Sequence, residues 1–145
     1  MKEKTKALLL YGRGDPFATL KPALENQGIK TIRAHSREEA SRLLRASGSP
    51  PLVFTDTEFP DGSWRDVIHL AREAAQPANV ILVSRLVDVR LYIEALEAGA
   101  FDFIAPPFED SAIAHVVRCA AANAESMRQP TPTMASAPLV PFASA

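Results

Sequence analysis

Residues 52–62 read LVFTDTEFPDG, a short apolar run that delivers one acid, Asp56, to a turn-forming segment. Prolines stand on both sides of the run, and Asp61 followed by Gly62 is a typical turn pair. An apolar run of this length between such signals predicts a buried strand that ends in a loop. In an open α/β sheet, ligands bind where parallel strands end. Asp56 is therefore the first candidate for a functional residue.

The composition is that of one ordinary globular domain, with 145 residues, 47% hydrophobic and 23% charged. The single cysteine, Cys119, rules out an intramolecular disulfide, fits a reducing compartment and is expected to be a buried structural residue. A net charge of −1 offers no broad basic surface, so nucleic acid is not an expected partner. The charged start and the early end of the first apolar run at Gly12 predict neither a signal peptide nor a membrane span, and we expect a cytoplasmic protein.

Apolar runs and helical patterns alternate along the chain. Besides the strand that begins at Leu52, strands are predicted at residues 7–11, 30–34, 80–83 and 101–104, the second of them partly polar as on a sheet edge. Five strands alternating with five helices predict an α/β fold, a flavodoxin-like (βα)5 doubly wound parallel sheet with strand order 2-1-3-4-5. In that order the loops after Tyr11 and Thr55 meet at the switch point, next to Asp56.

The helices are predicted from apolar stripes and caps. The first is predicted to be capped by Asp15 and to be either kinked by Pro22 or late in starting. The second begins with a capping box from Ser36 to Glu39. The apolar stripes of the last three are Trp64, Val67, Ile68 and Ala71; Leu86, Val89, Ile93 and Leu96; and Ile113, Val116, Val117, Ala120 and Ala124.

The end of the chain has a different composition. Residues 128–145 carry one charge and four prolines, with Ser, Thr and Ala in most other places. Such a segment cannot bury enough apolar surface to offset the entropy of ordering, so we predict one domain over residues 1–127 and a disordered tail or linker beyond it. An alternative is that Leu139, Val140 and Phe142 form a docking segment.

Several of these motifs together resemble the response-regulator receiver domain of two-component signalling, over about residues 6–126. They are Asp56 with the TEFPDG that follows it, Ser84 at a strand end, the AGAFD of residues 98–102, and Pro107-Phe108. The resemblance implies a signalling module rather than an enzyme. It implies that Asp56 accepts a phosphoryl group from a histidine kinase, that the Ser84 hydroxyl contacts it, and that Phe103 is the aromatic position that changes rotamer.

Two departures from the family pattern concern the chemistry of Asp56. The family holds Mg²⁺ with a pair of acids, and those positions are Gly12 and Arg13 here. Asp56 and the backbone carbonyl of Glu58 supply few of the oxygens that Mg²⁺ requires, although Asp15 could serve as a substitute acid. The family lysine is replaced by Pro106, whose bond to Pro107 is expected to be cis by the resemblance. We therefore expect Mg²⁺-dependent phosphorylation to be impaired or absent.

Three functions stay open at this point. The first is a receiver-like interaction module in which Arg13 pairs with Asp56 and fixes one conformation. The second is a competent phosphoacceptor, and the third is a small-ligand-binding flavodoxin-like domain. The resemblance implies a kinase or other signalling protein as partner and a homodimer face on the fourth helix, fifth strand and fifth helix, near Arg85, Arg90, Tyr92 and Glu94. The alternative for Ser84 is a plain strand-end hydroxyl, and scattered His35, His69 and His115 are expected on the surface.

Overall fold

The structure, a computed structural model, describes residues 4–128. These residues form seven strands and five helices. The strands are β1 (Lys6–Leu10), β2 (Lys30–Ala34), β3 (Leu52–Asp56), β4 (Glu58–Phe59), β5 (Gly62–Ser63), β6 (Asn79–Val83) and β7 (Asp102–Ile104). The helices are α1 (Phe17–Asn26), α2 (Arg37–Arg45), α3 (Trp64–Arg72), α4 (Val89–Ala98) and α5 (Asp110–Arg128).

Five of the strands form one parallel sheet in the order β2-β1-β3-β6-β7. This is the predicted flavodoxin-like order, and the partly polar β2 lies at the predicted edge. The short antiparallel pair β4-β5 was not predicted. It forms shortly after Asp56 around a turn at Pro60 and Asp61, one residue earlier than the predicted Asp61-Gly62 turn. The central strand β3 is buried along its whole length because helices cover both faces of the sheet.

Two apolar layers hold the helices against the sheet. Phe54 and the buried residues of α1 and α5 form one layer, and Val53 and the buried residues of α2 and α3 form the other. The buried residues of α5 are the five predicted ones, and those of α3 are the four predicted ones. Helical periodicity therefore located these two interfaces correctly.

Helix α4 turns its predicted apolar stripe to solvent. Val89 has 66% and Ile93 has 49% of full accessibility. Ala95 is buried instead, and Leu91 and Ala98 are partly buried beside it. Because both sides of this helix are apolar, periodicity alone could not show which side faces the sheet. Gly99 ends the helix at φ 114°, the left-handed position predicted for it.

Several smaller expectations change at the helix ends. Asp15 does not cap α1, which begins at Phe17 and continues through Pro22, so the late start was wrong. Ser36 accepts a hydrogen bond from the backbone N–H of Glu39, but the Glu39 carboxylate accepts from His35 rather than from Ser36. One half of the predicted capping box is therefore present.

Arg128, which composition placed in the tail, is the last residue of α5. Its guanidinium donates to the backbone carbonyls of Ser49 (3.0 Å) and Pro77 (2.6 Å), and burial lowers the pKa of Arg128. These bonds fix the end of α5 at the edge of the sheet where β3 and β6 begin. The rest of the predicted tail, with Leu139, Val140 and Phe142, lies outside the described residues.

Two predictions about surface residues have different outcomes. Cys119 was expected in the core and is exposed on α5, where its neighbour one turn back is His115. The three histidines are exposed as predicted.

The bond between Pro106 and Pro107 is cis, as the resemblance implied, and the bond between Asp15 and Pro16 is cis as well.

Candidate functional site

Asp56 is a buried acid at the carboxyl end of the central strand, as predicted. Its side chain is 3% exposed. β3 lies between β1 and β6, and the register places Asp56 opposite Val83, the last residue of β6. A buried carboxylate is costly unless a charged partner or several donors compensate it. The partner of Asp56 is thus the central question about this site.

That partner is Arg85, which binds the carboxylate with both terminal nitrogens. Nη1 donates to Oδ1 at 2.9 Å and Nη2 donates to Oδ2 at 3.2 Å. The Thr57 backbone N–H also donates to Oδ1, at 2.7 Å. Because the carboxylate accepts from the guanidinium and stabilises its charge, the pKa of Arg85 is raised above its ordinary value. The two side chains form the bidentate pair that arginine and carboxylate geometry favours.

The same guanidinium also reaches the loop after β1. Nη2 of Arg85 donates to the backbone carbonyl of Asp15 at 2.7 Å. One side chain therefore connects the loops that follow β1, β3 and β6, which are the three loops at the switch point of the sheet. About half of the Arg85 side chain, 47%, stays accessible to solvent while Asp56 is covered.

The predicted pairing of Arg13 with Asp56 was wrong. Arg13 is exposed and lines the same groove, but among residues 4–128 it makes neither a hydrogen bond nor an ion pair with Asp56. Register does not distinguish the two arginines. Leu10 of β1 pairs with Thr55 and Val83 of β6 pairs with Asp56, so each arginine comes two residues after the position level with Asp56. The difference lies in the side chains, since Arg85 bonds to the carboxylate and Arg13 is exposed.

Ser84 lies at the end of β6 as predicted, with its hydroxyl turned into its own loop. Its Oγ donates to the Leu86 carbonyl at 2.8 Å and accepts from the Leu86 N–H at 3.3 Å. The residue is 6% exposed. In this arrangement the hydroxyl shapes the turn between β6 and α4, and its role toward a phosphoryl group stays a prediction.

Phe103, the predicted switch-aromatic position, lies on β7 and is half-buried. Its ring meets the ring of Tyr92 on α4 edge to face, with centroids 5.6 Å apart and an interplanar angle of 68°. The two rings line a groove of about 340 Å³ together with Val87 and Ala105. The structure therefore places Phe103 at the contact between the last strand and α4.

The residues around Asp56 do not fit a magnesium ion. Both oxygens of Asp56 already accept from Arg85, and the positions of the expected acids are Gly12 and Arg13. Across residues 4–128, no three His, Cys, Asp or Glu side chains come together as a metal-binding group. Near-octahedral Mg²⁺ needs several hard oxygen ligands, and the Arg85 guanidinium already bonds to both carboxylate oxygens of Asp56.

A groove of about 550 Å³ opens over this pair. Its lining residues are Gly12, Arg13, Asp56, Thr57, Glu58, Phe59, Pro60 and Arg85. The lining thus contains two acids and two arginines, and the Glu58 side chain is exposed at its rim. Asp56 and the Arg85 guanidinium that holds it both line this groove.

Comparison with known proteins identifies the family that the sequence motifs resemble. A family model described as the response regulator receiver domain matches residues 16–118. This segment contains Asp56, Ser84, Arg85 and Phe103. It begins after Gly12 and Arg13, so the predicted positions of the metal acids lie outside the match.

Curated relatives include two bacterial response regulators. The chain is 30% identical to the response regulator protein PilR of Pseudomonas aeruginosa over 106 residues, which are 73% of this chain and 24% of PilR. It is 32% identical to the KDP operon transcriptional regulatory protein KdpE of Escherichia coli over 124 residues, which are 85% of this chain and 51% of KdpE. The chain therefore spans about half or less of the length of these relatives.

Solved structures show the same fold. A response regulator from Thermotoga maritima superimposes with a TM-score of 0.69 at 27% identity, covering 82% of this chain and 98% of that one. A receiver domain from Clostridium thermocellum superimposes with a TM-score of 0.70 at 22% identity, covering 84% and 98%. Within residues 4–128, none of the helices combines the length and apolarity that crossing a bilayer requires.

Proposed function

The chain belongs to the response regulator receiver domain family, and we propose that it is a two-component signalling module in which Arg85 takes the place of the metal at Asp56. It acts by protein–protein interaction, and Mg²⁺-dependent phosphorylation of Asp56 is impaired or absent. Receiver domains of response regulators are generally signalling modules rather than enzymes. The partner of this one is a histidine kinase or another signalling protein.

The bidentate pair between Arg85 and Asp56 carries this proposal. To accept a phosphoryl group, a carboxylate oxygen must approach phosphorus with a free lone pair. Here Oδ1 accepts from Arg85 and from the Thr57 N–H, and Oδ2 accepts from Arg85. One lone pair of Oδ2 therefore accepts no hydrogen bond from residues 4–128, but the guanidinium lowers the nucleophilicity of both oxygens by stabilising their charge, and it lines the same groove.

Arginine supplies positive charge, but it does not coordinate several oxygen atoms at once as a metal ion does. Mg²⁺ neutralises developing charge in phosphoryl transfer while it coordinates the phosphoryl oxygens and the carboxylate together. Arg85 has two of its donors on Asp56, and one of them is also bonded to the Asp15 carbonyl. The family lysine is Pro106 here, which has neither charge nor donor. The position of the family lysine therefore supplies no positive charge in this chain.

The interaction face proposed for a partner or a second copy consists of α4, β7 and α5. α4 presents exposed apolar side chains there, including Val89, Ile93 and Leu96. Exposed apolar residues that form a contiguous patch are typical of interaction sites.

Titration with Mg²⁺ tests the metal part of the proposal. Adding Mg²⁺ to the full chain, up to low millimolar concentrations, is expected to leave the amide signals of Asp56, Thr57 and Glu58 unmoved in ¹⁵N–¹H spectra, because Arg85 already holds the carboxylate. Asp56→Asn is the control for nonspecific effects. A saturable shift of these signals that disappears in Asp56→Asn would contradict the proposal.

A competent phosphoacceptor is the second candidate function. It is supported by the position of Asp56 at the end of β3 and by the solvent exposure of Arg85, which is 47% accessible and could leave the carboxylate. In that case Arg85 would rotate to the phosphoryl oxygens as they arrive, and Ser84 would have to release the Leu86 carbonyl. The third function, binding of a small ligand, is supported only by the groove of about 550 Å³, which lacks the glycine-rich sequence of a phosphate-binding loop.

A further inference from the structure

Helix α4 carries two apolar stripes, and only one of them packs against the sheet. Leu91, Ala95 and Ala98 face inward. The other stripe recurs at helical spacing and is exposed, and Leu86 and Val87 extend it at the start of the helix. We call this set the α4 stripe; its members are Leu86 (75% exposed), Val87 (78%), Val89 (66%), Tyr92 (40%), Ile93 (49%) and Leu96 (37%).

An apolar patch of this kind on a helix surface is costly to leave in water and is typical of a docking site. We propose that residues 139–142 of this chain, Leu-Val-Pro-Phe, dock on the α4 stripe of the same molecule. This segment is the only part of residues 129–145 in which large apolar side chains lie close together in sequence. It lies outside the residues that the structure describes.

Helix α5 ends near the carboxyl-terminal end of α4. Arg128 is fixed by its bonds to Ser49 and Pro77, so the following residues start from a defined point. Met127, one residue earlier, lines a pocket of about 310 Å³ together with Gly99, the residue that ends α4. The last described residues of α5 therefore lie near Gly99, at the carboxyl-terminal end of α4.

The intervening chain is long enough for residues 139–142 to reach any part of the stripe. Residues 129–138 span at most about 33–36 Å when extended. Helix α4 has 10 residues and is about 15 Å long. The stripe thus lies well within reach even of its far end, at Leu86 and Val87.

Charge and tethering also favour this occupant. Residues 129–145 contain no Asp, Glu, Lys or Arg, so docking would not bring a side-chain charge against the apolar stripe. A tether of this length holds the segment at an effective concentration on the order of millimolar, so that a weak apolar contact is enough. A second copy of the chain at ordinary concentrations has no such advantage.

Docking would cover part of the face proposed for signalling partners, so that a partner would have to displace the segment. Only this consequence rests on the proposed function. The docking itself does not depend on Arg85, on Asp56 or on any kinase, and the two proposals can fail separately.

Paramagnetic relaxation tests the docking on the full chain. A nitroxide is attached at Ser144→Cys in a Cys119→Ser background, since Cys119 is exposed and can be replaced without disturbing the core. The amide signals of residues 89–96 are expected to lose at least half of their intensity. Leu139→Asp, Val140→Asp and Phe142→Asp together are expected to restore it, because three charges cannot dock on an apolar stripe.

The matched control places the same three charges elsewhere in the tail, as Thr131→Asp, Thr133→Asp and Ala135→Asp. This variant is expected to keep the broadening of residues 89–96. Equal intensities at these residues with and without the charges at 139, 140 and 142 would overturn the proposal. Broadening that appears between a labelled copy and a separate ¹⁵N copy, and not within one molecule, would assign the stripe to a second copy and would also overturn it.

Discussion

Arg85→Ala is expected to lower the free energy of unfolding by about 1–3 kcal/mol, because it leaves the covered Asp56 carboxylate without its cation. Asp56→Asn is expected to cost less, under about 1 kcal/mol, because Arg85 is 47% exposed and can return to water. An asparagine oxygen can also keep accepting from the Thr57 N–H. The more exposed partner of the pair is therefore the more damaging one to remove.

Urea unfolding of the two single variants and of the double variant measures this asymmetry. With the carboxylate gone, Arg85→Ala should cost little, so the double variant is expected to be more stable than the sum of the single effects predicts. Arg13→Ala is the matched control, because Arg13 lines the same groove without bonding to Asp56, and it is expected to change stability by less than about 0.5 kcal/mol. A cost for Asp56→Asn equal to or above that of Arg85→Ala would show that the pair is not as the structure has it.

Replacing three residues together is expected to give the domain Mg²⁺-dependent phosphorylation on Asp56. Arg85→Ala frees the carboxylate, Arg13→Asp restores one of the family's metal acids, and Pro106→Lys restores its lysine. Since a single preorganised charge or donor changes reaction rates by about 10²–10³, the phosphorylation rate with acetyl phosphate is expected to rise at least about a hundredfold. Intact mass over time measures it.

The choice of Arg13 over Gly12 follows from the space available. A Cβ at Gly12 would lie 3.0 Å from Cδ of Pro60, so an acid there requires Pro60 to move. Gly12→Asp is therefore added only as a fourth change, after the triple variant has been measured. The same triple variant with Asp56→Asn is the control, and a gain of mass in that control would place the modification elsewhere. If the triple variant is phosphorylated no faster than the unchanged chain, the loss of these three groups is not what limits the chemistry.

The sequence was sufficient to predict the sheet and the position of Asp56. Apolar runs define the strands, and a buried run ending in an acid and a turn locates the carboxyl edge at which Asp56 lies. The faces of α3 and α5 were also predictable, since each has one apolar stripe. On α4 the sequence has two, and only the structure shows that the small residue Ala95 faces the sheet while Ile93 faces water.

The partner of Asp56 was not predicted, although the signal was present. β3 has a neighbour on each side, and the arginine after β1 was considered while the one after β6 was not. In the predicted strand order both are adjacent to Asp56, and register does not separate them, because each comes two residues after the position level with Asp56. The choice depends on the course of each loop and side chain, which the sequence does not show. The hydrogen bonds of the folded chain identify Arg85. The prediction that Cys119 is buried was wrong for a related reason, because a helix position beside the core stripe can face either the core or solvent.

The intact mass of the unchanged full chain after incubation with acetyl phosphate and Mg²⁺ tests most directly whether the Arg85 pair keeps Asp56 unphosphorylated. We expect the mass to stay that of the unmodified protein, identical to Asp56→Asn treated in the same way. A rapid gain of one phosphoryl group that is absent from Asp56→Asn would contradict this and establish the domain as a competent phosphoacceptor.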